Sequence, residues 1–381
     1  MAKRSSKRVK TIELADEPYS ELVTPALERT IDDILGQPRA IETLDAAIAS
    51  GRVHHAWIFH GPAGVGKFTT ALAFAAVLLD PDAGPDLTGR YRPDPATRAQ
   101  GLLRTGSHPD LHVIRKELAR FSDNPSVRSS KLTTIPKDVL DTRLIAPAYR
   151  AASMTGGLAS KVFIVDEAEL LDRSASNAVS QNALLKTLEE PPEGTVLILV
   201  TSNEDRLLPT IRSRSQRVGF GPLDEDSMSR WASESEIALP RDAKWLFDYA
   251  AGSPGRLKEA VETGLASWHT ELKPGLDRAL KGEFDPMLAP VMRDLVDEWA
   301  KAWVAEDDKR SKEAANRMAM GRLFSMVGDH ARARLADPAC TEIALGMIDA
   351  IGRAESRLAS NVQLALVLEG LAADLPAGER V

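Results

Sequence analysis

The chain has 381 residues and a formal net charge of −7. That length suits two or three domains with buried cores, and the acidic balance excludes a generic nucleic-acid binder, which is ordinarily basic, while leaving room for a local basic face. The one cysteine, Cys340, excludes an internal disulfide framework and a multi-cysteine metal site and fits a reducing, cytoplasmic setting.

Residues 1–27 read as a tail. Lys3, Arg4, Lys7, Arg8 and Lys10 open it, and no apolar segment of signal-peptide type follows. A solubilising tail is the preferred reading and a phosphate-contacting arm the other. No apolar run approaches the roughly 18 residues of a membrane span, so no membrane contact is expected. Residues 28–50 are amphipathic, with Asp33-Ile34-Leu35-Gly36-Gln37 leading into a helix to about Ser50.

Ala56-Trp57-Ile58-Phe59-His60 reads as a buried strand and Thr69 to Leu79 as an apolar helix. Between them stands Gly61-Pro62-Ala63-Gly64-Val65-Gly66-Lys67-Phe68. Strand, glycine-rich loop and helix in this order make a phosphate-binding loop, whose backbone N–H groups cradle phosphates while the lysine neutralises them. The residue after the lysine is ordinarily Ser or Thr, whose hydroxyl holds Mg²⁺. Phe68 has no hydroxyl. Thr69 is the other candidate ligand, but it lies about 100° further round the helix. The reading is a nucleotide-binding scaffold poorly equipped for hydrolysis, with nucleotide occupancy left open.

Residues 80–107 hold Pro81, Pro85, Pro93 and Pro95 with little apolar periodicity and read as a surface insertion. Ser107-His108-Pro109-Asp110 turns into a strand ending near Ile114, residues 117–134 read as loop, and a helix is expected from Pro136 to Tyr149. Lys161-Val162-Phe163-Ile164-Val165 is a strand of β-branched and aromatic residues followed by Asp166-Glu167. In phosphate-loop proteins the aspartate at such a strand end helps hold Mg²⁺, and the adjacent glutamate can polarise water. A helix from about Ser174 to Glu190 stops at Pro191-Pro192, and Thr195 to Val200 forms the next buried strand. It closes on Thr201-Ser202-Asn203, one of which either meets a γ-phosphate or simply makes the strand end polar. The alternation indicates a parallel sheet with helices on both faces and ligands at the carboxyl ends of its strands.

Leu207 to Arg217 carries Arg212, Arg214 and Arg217 among small polar residues. This stretch is either a solvated edge or a projection that touches nucleotide on a neighbouring subunit, a task suited to a forked, permanently charged guanidinium. From about residue 222 strand signals stop. Gly252-Ser253-Pro254-Gly255-Arg256 opens a helix there, and Arg256 either lies at the surface or reaches back to nucleotide. Residues 273–376 read as longer amphipathic helices.

Taken together, these residues resemble the AAA+ clamp-loader subunits of bacterial DNA polymerase III, most closely the delta-prime type. The resemblance runs from about residue 28 to 372 and rests on His55 to Pro62, Ser107 to Leu111, Ile164 to Ala168, Asn182 to Pro192, Leu208 to Arg214 and the helical end from Arg353 to Leu368. It implies an α/β fold, with an AAA+ P-loop parallel-sheet domain at 28–221, a small helical lid at 222–272 and an all-helical collar at 273–381. It also implies a pentameric ring with other clamp-loader subunits that places a sliding clamp on primed DNA. The family's trans-acting arginine falls on Arg214 and its lid arginine on Arg256. Gly61 through Thr69, Asp166 and Asn203 become the candidate ATP site, with Glu167 vestigial. Two departures matter. Many relatives carry a four-cysteine zinc module where residues 80–106 stand without cysteine, so no zinc and no metal-ligand set is assigned; Phe68 puts hydrolysis in doubt. The expectation is a ring member without intrinsic ATPase activity. An active motor of the same kind of complex and a stand-alone AAA+ regulator are the alternatives.

Overall fold

The structure, a computed structural model, describes residues 25–130, 132–172, 178–235, 237–239, 243–305, 310–360 and 362–376. The expected basic tail at residues 1–24 and the expected helix start near Ser174 lie outside them.

Among the described residues, five parallel strands form the main sheet: β1 (Ala56–His60), β2 (Leu111–Ile114), β3 (Lys161–Val165), β4 (Thr195–Thr201) and β5 (Gln216–Gly219), in the order β2-β3-β4-β1-β5. Side chains alternate across it. Trp57, Phe59, Ile164 and Ile198 enter one apolar layer, and Ile58, Phe163, Val165 and Leu199 the other. Because both faces are covered, β1, β3 and β4 are apolar almost throughout, as buried parallel strands require. The helices over the sheet include α1 (Pro38–Ala49), α2 (Lys67–Leu78) and α3 (Val179–Glu189). The N-terminus of α3 is fixed by the Asp172 carboxylate, which accepts from the N–H groups of Ser180 (3.1 Å) and Gln181 (2.9 Å).

Several expectations are corrected. The insertion at 80–107 is more ordered than its prolines suggest: a two-strand hairpin pairs Gly84–Pro85 with Tyr91–Arg92, and a helix spans Arg98–Arg104. Thr97 caps that helix, and its Leu103 is buried. The expected helix at 136–149 is continuous in three pieces, Lys137–Leu140, Asp141–Ile145 and Ala146–Ala148, with the middle piece in the wider π geometry. The arginine stretch does not lie beyond the last strand. It precedes β5, an edge strand whose only buried residue is Val218, so it lacks the apolar run that betrays a central strand.

After β5 every described element is helical: α4 (Glu225–Glu234), α5 (Lys244–Ala250), α6 (Pro254–Glu262), α7 (Leu265–Ala279), α8 (Leu288–Ala305), α9 (Lys312–Arg332), α10 (Thr341–Ala359) and α11 (Leu364–Asp374). The expected boundary at 272/273 falls inside α7, where Leu272 is buried. Helix α6 is tied to α9 by Glu259, which pairs with the buried guanidinium of Arg322. No described helix is long and apolar enough to cross a membrane.

Candidate functional site

The loop between β1 and α2 is held from two sides. The Gln37 side chain donates to the carbonyls of Val65 (3.2 Å) and Gly221 (2.7 Å) and accepts from Gly221 N–H (3.1 Å). On the other side, Ser253 Oγ donates to the Ala63 carbonyl at 2.9 Å, and Gly255 N–H donates to the Gly64 carbonyl at 2.9 Å. The start of α6 is thereby fastened directly to the loop. Contact this close needs glycine on both sides: a Cβ on Gly255 would stand 2.7 Å from Gly64 Cα. Gly66, at φ 96°, turns the chain into α2.

Lys67 is buried, and its Nζ donates to the carbonyls of Gly61 (2.7 Å) and Pro62 (2.5 Å). Burial pulls its pKa below the usual lysine range, with Glu169 and Asp166 opposing. Above the loop a cavity of about 1070 Å³ extends between the sheet and the first helices of the second half. Its polar end carries Lys67, Thr69, Asp166, Glu169 and Ser202; Ile34, Leu35, Leu223 and Trp231 make an apolar end.

The carboxylates at the end of β3 are already partnered. Strands β2 and β3 run parallel with Ile114 opposite Val165, so the next residues on each strand, Arg115-Lys116 and Asp166-Glu167, fall side by side. Arg115 Nε lies 3.3 Å from Asp166 Oδ2, and Lys116 pairs with Glu167. The Arg115 guanidinium also sits 4.3 Å from the centre of the Phe68 ring, within cation–π range. Burial raises the Asp166 carboxyl to about 6, with Arg115 working against the shift and Glu167 adding to it. Burial also disfavours the Lys116 ammonium, but Glu167 and Glu117 more than offset this, leaving its pKa raised. Glu167 adopts a left-handed backbone (φ 51°, ψ 48°), a strained conformation for a residue with a Cβ and one that gathers at functional sites.

The other candidates divide. Ser202 and Thr201 line the cavity. Asn203 spends its side chain locally, accepting from Asp205 N–H at 3.2 Å as the cap of a short turn. Arg256 does not reach the loop; its guanidinium lies 4.7 Å over the Tyr249 ring, while Lys258, two residues on, lines the cavity. Thus the Gly-Ser-Pro-Gly-Arg stretch meets the loop through Ser253 and Gly255. Arg214 stands on the surface before β5, donating to the Thr210 carbonyl (3.0 Å) and pairing with Glu189 (2.9 Å) at the end of α3. Sequence reasoning missed Arg115, Lys116 and Glu169. Glu169 accepts from Ser202 N–H and Oγ, and the signal for it was its place one turn after Asp166.

The fit to a nucleotide is therefore uneven. The loop N–H groups, Lys67 and an apolar end for a planar base suit it. The divalent cation that ordinarily accompanies it is not accommodated, because Phe68 removes one ligand and Arg115 covers the Asp166 carboxylate.

A parallel sheet of this order, with a phosphate loop after β1, an Asp-Glu pair ending β3 and an all-helical second half, defines the AAA+ P-loop class. Residues 36–224 match the family described as DNA polymerase III, delta subunit, and through this segment the chain belongs to the delta-prime-like clamp-loader family. It is 29% identical over 226 residues to DNA polymerase III subunit delta′ of Bacillus subtilis, across 59% of this chain and 58% of that protein. With subunit delta′ of Pseudomonas aeruginosa it shares 31% identity over 230 residues, 60% of this chain and 62% of that protein. With subunit tau of Escherichia coli it shares 28% over 274 residues, 70% of this chain but 38% of the relative. The chain thus spans less than two thirds of the length of each of these relatives.

Proposed function

We propose that this chain is a clamp-loader subunit of delta-prime type, a member of a pentameric ring of related cytoplasmic subunits that loads a sliding clamp onto primer-template DNA. In this reading its 28–221 unit is the ring-forming AAA+ domain, its 222–272 helices the lid and its 273–381 helices the collar. It supplies Arg214 to ATP on the adjacent subunit and hydrolyses none itself. The observation that carries the reading is the position of Arg214, which stands exposed at the sheet edge, clear of the chain's own cavity, in a pair with Glu189 that the screened surface makes easy to exchange. A guanidinium aimed at a γ-phosphate stabilises the charge that develops during transfer.

The competing reading is an active motor subunit. It requires a metal anchored at the loop, which Phe68 cannot provide, and an Asp166 free to hold it, whereas Arg115 is already there. Reconstitution tests the proposal. The full chain, mixed with a tau-type motor subunit, the remaining loader subunits and clamp, is expected to enter one complex and to be required for clamp loading. A complex that forms and loads equally well without it overturns the reading.

A further inference from the structure

The cavity above the phosphate loop contains a protein-borne cation where a P-loop site ordinarily uses a metal. Phe68, Arg115 and Asp166 form one stack, with the guanidinium 4.3 Å from the ring centre and 3.3 Å from the carboxylate. Each member has a separate reason to be there. Phe68 is placed by the register of α2, one residue after Lys67. Asp166 and Arg115 are placed by the pairing of β3 with β2, and the Asp166 N–H donates to the Ile114 carbonyl at 3.0 Å. The ring supplies a π face that a Ser or Thr would lack, and the guanidinium supplies a fixed positive charge with forked donors suited to phosphate oxygens.

We propose that the Arg115 guanidinium substitutes for the divalent cation, so that this cavity binds the diphosphate or triphosphate of a nucleotide without metal. The carboxylates that would repel such a ligand are already paired, Asp166 with Arg115 and Glu167 with Lys116. Lys67 and the loop N–H groups remain directed at the same end of the cavity. A bound nucleotide has no metal-held water and no metal-neutralised leaving group, so it is retained as a structural ligand. The inference assumes the P-loop reading of the cavity but not the role of Arg214, and it is tested on the isolated full chain, without partner subunits.

The experiment is calorimetric titration of the full chain with ADP and with ATP, in excess magnesium and in excess EDTA, alongside Arg115→Met, which keeps length and apolar packing but removes the charge, and Arg115→Lys as a second variant. The parent is expected to bind at least one nucleotide with affinities in the two buffers that agree within about threefold. Arg115→Met is expected to lose about tenfold or more in EDTA, and Arg115→Lys to recover part of that loss. Three results overturn the proposal: magnesium tightening the parent by about tenfold or more, Arg115→Met binding as well as the parent in EDTA, or neither nucleotide binding the parent at millimolar concentration. Failure here with intact clamp loading leaves the function proposed above standing, and the converse result separates the two as clearly.

Discussion

Gly255 and Gly64 join the two halves of the site through a 2.9 Å hydrogen bond from the Gly255 N–H to the Gly64 carbonyl, across a gap too narrow for a side chain. The first turn of α6 is thus part of the phosphate-loop structure. A Gly255→Val chain must push the helix off the loop, and overpacking of this kind costs about 1–3 kcal/mol. Its urea midpoint is expected to fall accordingly. An unchanged midpoint would mean that loop and helix separate freely.

Phe68→Thr alone is expected to leave the chain without ATP turnover. The hydroxyl would return, but Arg115 would still cover Asp166. Only the double change Phe68→Thr with Arg115→Ala frees both positions, and it is expected to make nucleotide binding respond to magnesium. Turnover by the single variant, measured as phosphate release, would show that Arg115 yields readily to a metal.

The His112 ring stacks on Phe163 at 4.8 Å, and burial holds its pKa down at about 4, well below the ordinary 6.5. Between those values the unfolded chain binds a proton that the folded chain refuses. The contribution of His112 is therefore complete above about pH 6.5 and is lost as pH falls toward 4, up to about 1–3 kcal/mol. Asp166, raised to about 6, works in the opposite sense over the same range but is common to parent and variant. Urea denaturation between pH 7 and 5 is expected to show a shallower acid loss in His112→Phe than in the parent. Parallel loss in both chains would contradict this. His55, His108 and His330 are also lowered by burial, so the variant retains some acid sensitivity.

Arg322 is buried with its guanidinium 3.9 Å from the Trp299 ring centre and paired with Glu259 of α6. Removing Glu259 strands a buried charge, so Glu259→Ala is expected to cost about 1–3 kcal/mol. Arg322→Met removes that charge and leaves only the half-exposed Glu259 unpaired, and it is expected to stay within about 1 kcal/mol of the parent. Denaturation of the two variants side by side checks the asymmetry; equal losses would refute it.

What could be read from sequence follows from how local each signal is. Strands β1 and β3 appear at the bounds that the apolar runs Ala56–His60 and Lys161–Val165 suggest, because a strand buried on both faces has nowhere for polar residues. Strand β5 was illegible because Gln216 and Arg217 are exposed on an edge. The loop, Lys67 and Phe68 are contiguous, so their motif announces them. Arg115 and Lys116 become site residues only through the register of β2 against β3, a long-range pairing that no spacing rule exposes. Arg256 misled because its motif resembles a reach toward nucleotide, whereas the Tyr249 ring offers its guanidinium a nearer partner.

The central claim is that Arg214 serves a neighbour's nucleotide, and substitution at that one position tests it most directly. Arg214→Ala is to be assembled into the full complex, and DNA-dependent ATP hydrolysis and clamp loading measured against the parent. Losing the Glu189 pair, a surface contact, should leave folding and assembly intact. Removal of an arginine finger lowers phosphoryl transfer by about 10³ to 10⁵ at the site it serves, so the account predicts a clear loss of both activities and poor rescue by Arg214→Lys, whose ammonium lacks the planar fork. An assembled Arg214→Ala complex that hydrolyses ATP and loads clamp at the parent's rate would contradict the account.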